Sequence, residues 1–212
     1  MTTITDYASL KTAITDFEAR SDLATYADYF IQGAEEDIYN DIFRLNEGRG
    51  VSELETTFSD TISDNAIAVP DSFLGLRSAT VTVGDETIVL QIRPLEFILT
   101  AYPTQAPMGV PAFVSRSGSN LVFGPYADDD YTISGLYWKR MAALSSSNTS
   151  TWMITAMPVT LFTCCMRQVG KFLQDPERVQ LWTAEYQAKM AGFIAMKKSE
   201  DYAGSALSMV AV

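Results

Sequence analysis

The chain has 212 residues, of which 47% are hydrophobic and 19% are charged. This composition predicts a folded protein with one good core and room for a smaller module. Its 26 acidic and 15 basic residues give a net charge of −11. That charge argues against a protein that grips DNA, because phosphate binding needs a basic surface. It is compatible with a protein past which DNA must move, since an acidic wall repels phosphates.

The residue types present also limit the chemistry. Histidine is absent, which removes the commonest general base and metal ligand and excludes any Ser–His or Cys–His nucleophile. Cys164 and Cys165 are adjacent, so on a helix they point about 100° apart and are predicted to be unpaired core residues. No apolar run reaches the roughly 18 residues of a membrane span, and the N-terminus lacks a signal-peptide core, so we expect an intracellular origin.

Residues 1–50 predict two helices, over residues 7–20 and 23–43, because apolar residues recur there at helical spacing. Ser21 and Asp22 offer an N-cap for the second, longer helix. The apolar stripes consist of Leu10, Ile14 and Phe17 in the first helix and of Leu23, Ala27, Phe30, Ile31, Ala34, Ile38 and Ile42 in the second. The opposite face of the long helix is acidic, and its members are Asp28, Glu35, Asp37 and Asp41.

From Val51 the pattern changes to that of strands and turns. Gly84-Asp85 and the stretch 117–120 are turn signals that predict two hairpins. The predicted strands are Leu54–Phe58, Ala66–Pro70, Ala79–Val83, Thr87–Ile92, Ala112–Arg116, Leu121–Phe123 and a last strand through Tyr131, Ile133 and Tyr137 to Lys139. A helical turn is predicted over Pro94–Ala101. This region therefore reads as a β-rich insertion between helical halves.

The C-terminal part, residues 152–193, predicts two antiparallel helices. Pro158 suits the first turn of one, and Asp175-Pro176 ends it and starts the next, with Asp175 as the cap. The apolar stripes are Leu161, Phe162, Cys165, Val169, Phe172 and Leu173, followed by Val179, Trp182, Tyr186, Met190 and Phe193. After Lys198 the helical pattern is lost, and the apolar tail 202–212 is either disordered or orders when it docks on a partner.

We therefore expect an α+β protein with a helical bundle body, made of the long N-terminal helix and the C-terminal helix pair, and an inserted small antiparallel β module. The expected divisions are residues 1–50 for the N-terminal helices, 51–143 for the β-rich insertion, 144–199 for the C-terminal helix pair and 200–212 for an extended tail.

No constellation of residues predicts a catalytic, metal or cofactor site. Asp128–Asp130 lacks the alternating acids and glycine of a calcium loop and is interpreted as a turn that leads into a strand. Gly48–Gly50 is too short for a phosphate loop. A small-molecule or carbohydrate-binding domain, or a hydrolase that uses carboxylates, stays open as an alternative, because 26 acids always allow some pair.

The order and spacing of several segments resemble tailed-bacteriophage head–tail connector (adaptor) proteins. The C-terminal landmarks are Trp152, Pro158, Leu161, Phe162, Phe172-Leu173, Asp175, Arg178, Trp182 and Tyr186. Three further segments are similar to the long helix, the turn into a hairpin and the last strand with its exit, and they lie at Tyr26–Thr56, Val69–Ser78 and Phe123–Ser145. The chain departs from the family where Glu36, Asp37 and Asp41 replace basic residues of the long helix.

The resemblance implies a non-enzymatic ring without cofactors, typically of twelve copies, made in the host cytoplasm and placed in the neck of the virion. Its partners would be the portal protein and the tail or next neck protein, with DNA passing through without specific binding and no membrane contact. We hypothesise that Asp28, Glu35 and Asp41 line the channel or meet basic residues of a neighbouring subunit. The second hypothesis is that the tail docks on the portal through Tyr202, Leu207, Met209 and Val210.

Overall fold

The computed structural model describes residues 3–62, 65–104 and 106–201. The chain forms two compact units, one helical unit of residues up to Glu53 together with those from Met141 onwards, and one β unit over Leu54–Arg140. Among the described residues the α-helices are α1 (Tyr7–Glu18), α2 (Ala27–Leu45), α3 (Leu95–Ala101), α4 (Trp152–Ala156), α5 (Pro158–Phe172) and α6 (Pro176–Asp201). The strands are β1 (Glu55–Thr61), β2 (Ala66–Ala68), β3 (Phe73–Val83), β4 (Glu86–Val89), β5 (Gln91–Ile92), β6 (Phe113–Ser117), β7 (Asn120–Gly124) and β8 (Thr132–Lys139).

The N-terminal helices of the helical unit begin differently from the prediction. Asp6 caps α1 by accepting a hydrogen bond of 2.7 Å from the backbone N–H of Ser9, and the Ser9 hydroxyl accepts from the backbone of Asp6 in return. The predicted cap at Ser21 and Asp22 is wrong for the long helix. Residues 21–26 form a 3₁₀ helix instead, and α2 begins at Ala27 without a side-chain cap. The apolar stripe of α2 is buried as predicted.

The C-terminal helices follow the sequence signals closely. Pro158 is the first residue of α5, where its missing N–H costs no hydrogen bond. Asp175 caps α6 by accepting a 3.1 Å hydrogen bond from the backbone N–H of Arg178, so this prediction is confirmed. Between α5 and α6, Gly170 allows a close approach, because a Cβ built on it would lie 3.1 Å from a methyl group of Val179.

The β unit contains two four-stranded sheets that share one apolar core. The strand orders are β1-β8-β3-β4 in the first sheet and β2-β7-β6-β5 in the second. Fully buried side chains from both sheets meet in the core, among them Val81 and Ile133 of the first sheet and Leu121 and Phe123 of the second. The unit therefore consists of two small sheets that pack on a common core, and not of a single sheet of hairpins.

One predicted strand, Thr87–Ile92, is split between the two sheets. β4 pairs with β3 in the first sheet, and β5 pairs with β6 in the second. Leu90, which lies between β4 and β5, is buried, and its N–H donates to the carbonyl of Ala79. Because the chain returns through α3, β5 runs parallel to β6, and the expectation of a purely antiparallel module is corrected by this pair.

Candidate partner-binding surfaces

The acidic residues of α2 have partners within the helical unit. Asp28 is exposed over 66% of its side chain and bonds Lys11 at 3.0 Å and the hydroxyl of Tyr7. The Tyr7 hydrogen bond, followed by that from Lys11, lowers the pKa of the Asp28 carboxyl. Asp28 is thus held by α1 while much of its surface remains open to solvent.

Glu35 is not exposed within the single chain, although the helical pattern places it on the face of α2 opposite the apolar stripe. Its side chain is buried, with 7% of the residue exposed, and it accepts a 3.1 Å hydrogen bond from the backbone N–H of Leu144. A carboxylate loses hydration when it is buried, so it needs such donors. In the monomer Glu35 joins α2 to the segment that leads into the C-terminal helices.

Asp37 and Asp41 belong to a partly buried polar network that links α2, α5 and α6. The Arg167 guanidinium of α5 pairs with Asp37 and lies 4.5 Å from the centre of the Tyr186 ring on α6. The Tyr186 hydroxyl donates to Asp41 at 2.9 Å, and Arg44 pairs with Asp41 at 2.8 Å. The placement of Asp28, Glu35 and Asp41 on a channel or between subunits stays a prediction, as the partners described here lie within one chain.

The candidate residues of the tail, Tyr202, Leu207, Met209 and Val210, lie outside the described residues. Their part in partner binding stays a prediction.

The helical unit has an apolar groove that the sequence analysis did not identify. We call it the aromatic groove and define it by Phe17 of α1, Val159 and Phe162 of α5 and Trp182 of α6. Its volume is about 830 Å³, within the range of pockets that bind ligands or partner side chains. The three rings meet edge to face with centroids 5.3–6.1 Å apart, which fixes the shape of the wall.

Two members of the groove are open to solvent although they are large and apolar. Phe17 is 47% exposed and Val159 is 53% exposed, whereas Phe162 and Trp182 form the buried floor. Two carboxylates, Asp16 and Glu185, also line the groove. The groove is therefore an apolar binding surface with two carboxylates on its lining. This combination suits an aromatic side chain that has a basic residue next to it.

A second exposed aromatic cluster lies where the N-terminus of α2 meets the C-terminus of α5. We call it the aromatic patch and define it by Tyr26, Tyr29 and Phe172. The ring centroids of Tyr26 and Phe172 are 4.8 Å apart, and the rings of Tyr29 and Phe172 both pack edge to face against the buried Phe30. Tyr29 is 67% exposed and Phe172 is 42% exposed. Phe172 thus lies at the end of the predicted apolar stripe of α5, where that stripe is only partly covered.

Apolar residues of both surfaces recur at helical spacing in the sequence, but this spacing was insufficient to predict the two surfaces. Phe17 continues the apolar side of α1 and Phe172 that of α5, and helical spacing cannot tell a core residue from the exposed edge of the same stripe. Val159 follows Pro158 and falls outside the predicted stripe. Only the packing of α1 against α5 and α6 reveals that these residues share a groove.

A smaller hollow of about 310 Å³ lies in the β unit beside Asp128, Asp129 and Asp130. These acids are at the surface, and Tyr131 donates to Asp128 at 2.7 Å. Among the residues that the structure describes, no group of three or more Cys, Asp or Glu side chains is placed to hold a metal ion. Burial raises the pKa of the Cys164 thiol to about 12 and that of Cys165 well above its usual value.

None of the helices over residues 3–62, 65–104 and 106–201 is both long and apolar enough to cross a membrane.

Comparison with known proteins identifies the family. The family described as SU10 adaptor protein matches residues 5–209, a span that includes both units. No curated protein matches the chain. A phage adaptor is a structural component of the virion, which implies a non-enzymatic role. Because the match covers nearly all of the sequence, this chain belongs to the SU10 adaptor protein family of phage structural proteins.

Proposed function

We propose that this protein is a head-to-tail connector that assembles as a ring, with twelve copies, between the portal and the tail and leaves a channel for DNA. The match to an adaptor family over residues 5–209 is the observation on which this proposal depends. An adaptor must bind one structure above it and another below it, and a closed ring is the arrangement that does so around DNA. In this position the protein takes part in retaining the packaged genome and in its ejection.

The proposed ring body is a bundle of α2, α5 and α6 with α1 on its outside. The contacts that support a stable bundle are the Gly170–Val179 approach between α5 and α6 and the network of Asp37, Arg167 and Tyr186. The β unit then faces a neighbour or the tail. Its exposed β4, on which Ile88 and Val89 are open to solvent, is a sheet edge available for such a contact.

DNA would pass this ring without specific binding. The net charge of −11 supports a repulsive wall, and Asp28 is the exposed member of the predicted acidic set. Tracing the chain in an electron cryomicroscopy map of purified particles tests this point. If Asp28 faces the outer surface of the ring and no basic residue of a neighbour, both versions of the acidic-face hypothesis are wrong.

Deletion of the gene in the phage that encodes it tests the connector role as a whole. We expect DNA-filled heads that lack tails, because the surface on which the tail assembles is missing. Supplying the protein from a plasmid should restore complete particles. Normal numbers of complete virions without the protein would contradict the proposal.

Truncation tests the portal contact of the tail. A chain that ends at Asp201 should keep its melting temperature but lose binding to purified portal of the same phage. A matched control replaces residues 202–212 with a Gly/Ser segment of equal length, which keeps the length and removes the apolar side chains. Undiminished portal binding by either variant would end the tail hypothesis.

A further inference from the structure

We infer that the aromatic patch of one subunit inserts into the aromatic groove of the next subunit, so that these two surfaces form the ring contact. This inference rests on the proposed ring. A head-to-tail contact requires two different and complementary surfaces on every subunit, in contrast to a two-fold dimer, which uses one surface twice. The helical unit presents such a pair, one concave and one exposed to solvent.

The two surfaces are placed on opposite sides of one rigid helix. Val159 in the groove and Phe172 in the patch are 13 residues apart on α5. At 1.5 Å and 100° per residue, they are separated by about 20 Å along the helix and point about 140° apart around it. A subunit that binds one neighbour through its groove therefore keeps its patch free for the other neighbour. This is the geometry that lets a contact propagate around a ring.

The chemistry of the two surfaces is also complementary. The groove offers an apolar floor of Phe162 and Trp182 with Asp16 and Glu185 on its lining. The patch offers aromatic side chains with a basic neighbour. Lys171 precedes Phe172 in α5, its side chain is about half exposed, and its ammonium group lies 3.8 Å from a carboxylate oxygen of Asp37. Aromatic side chains that fill a desolvated pocket are typical anchors of protein interfaces. A basic group beside them would approach the acidic lining of the groove.

The test uses cysteine pairs in phage particles. In a phage that carries both Val159→Cys and Tyr29→Cys, a short bifunctional thiol reagent should link neighbouring subunits into a ladder of oligomers on a denaturing gel. Both positions are more than half exposed, so the substitutions should preserve the fold. The native thiols of Cys164 and Cys165 are buried and should not react.

Matched controls separate this contact from chance proximity. Each single cysteine variant should lose the ladder. A control phage carries Met196→Cys together with Tyr29→Cys. Met196 is an exposed residue of α6 about 20 Å from Trp182 along the helix, so this pair should give no ladder. Particles that contain the protein but give no ladder with the first pair, or a ladder of equal strength with the control pair, would overturn the inference and leave the connector role intact. Particles without the protein would overturn the connector role and the inference with it.

A photoreactive phenylalanine analogue at Val159 identifies what fills the groove. Mass spectrometry of the crosslinked peptide should find residues around Tyr26, Tyr29 or Phe172 of a second copy. A crosslink to residues 202–212, or to another virion protein, would overturn the inference.

Discussion

The hydroxyl of Tyr186 on α6 donates a 2.9 Å hydrogen bond to a carboxylate oxygen of Asp41 on α2, across 145 residues of sequence. Tyr186 is fully buried, and this burial is the largest cause of the raised pKa of its phenol. The hydroxyl therefore stays protonated and acts as a neutral hydrogen-bond donor. The Arg167 guanidinium lies over the same ring. Three helices of the helical unit therefore meet at this tyrosine.

The substitution Tyr186→Phe removes the hydroxyl that donates to Asp41 and leaves Arg44 as the partner of this carboxylate. We expect the free energy of unfolding to fall by about 1.5–3 kcal/mol, the usual range for a hydrogen bond to a charged group. Denaturant unfolding followed by circular dichroism measures this loss. The matched control Tyr29→Phe alters an exposed ring and should change stability by less than about 0.5 kcal/mol. Equal stability of both variants would contradict the role of this hydrogen bond.

Replacing Glu35→Ala tests whether its carboxylate serves the monomer. Because the N–H of Leu144 would lose its buried acceptor, we expect a loss of about 1–3 kcal/mol in the free energy of unfolding. Glu36→Ala, at the exposed next position, is the matched control and should be nearly neutral. A fully stable Glu35→Ala protein that no longer assembles would instead place this carboxylate in a contact between subunits.

The Asp28 contacts make a small part of the stability depend on pH. The pKa of Asp28 is lowered by Tyr7 and Lys11, so this contribution is present above the ordinary pKa of 3.8 and is lost as the pH falls through the lowered value. The stability difference between wild type and Asp28→Asn should therefore be constant from neutral pH down to about pH 4 and should then shrink as the pH falls through the lowered pKa. Since the pair is exposed, the difference should stay below about 1 kcal/mol.

A titration followed by NMR checks the cause of that shift. Lys11→Met should raise the pKa of Asp28 towards its ordinary value, because one hydrogen bond and one positive charge are removed. Lys189→Met, whose ion-pair partner is Glu185, should leave the titration of Asp28 unchanged. A pKa of Asp28 that does not respond to Lys11→Met would contradict the pairing.

Gly135→Ala probes the centre of the first sheet. A Cβ on Gly135 of β8 would collide with the backbone carbonyl of Ser78 on β3 and with the ring of Phe58 on β1. Backbone atoms cannot move aside easily, so we expect a loss of about 1–3 kcal/mol or more in the free energy of unfolding. Gly192→Ala on α6 is the control, since nothing lies within 4 Å of its added methyl group, and it should be neutral or slightly stabilising. An unchanged melting temperature for Gly135→Ala would contradict the close strand packing.

Comparison of particular elements shows which predictions local signals could support. The break at Asp175-Pro176 was predictable, because a cap and a proline act within a few residues of themselves. The turn at Gly84-Asp85 was predictable for the same reason, and Gly84 has the positive φ of 59° that a tight turn requires. The predicted cap at Ser21 was wrong, since a 3₁₀ helix occupies that stretch.

The candidate surfaces were much less predictable. The acidic pattern placed Glu35 with Asp28 on the helix face opposite the apolar stripe, yet the two differ in burial, because Leu144, 109 residues away in sequence, packs beside Glu35. The aromatic groove needs α1, α5 and α6 together, and no single periodic stripe contains its residues. Periodicity indicates which side of a helix is apolar but not how far a neighbouring helix covers it.

The sequence by itself determined that this is an α+β chain without histidine, strongly acidic, with helices at both ends and hairpins between them, and it indicated the connector family. Those properties come from composition and from interactions among close neighbours in the chain. Only the tertiary structure decided that Glu35 is buried, that β5 runs parallel to β6, and that Phe17, Val159 and Trp182 face a common groove. Each of these depends on segments that are distant in sequence, whose approach is set by packing of the whole unit.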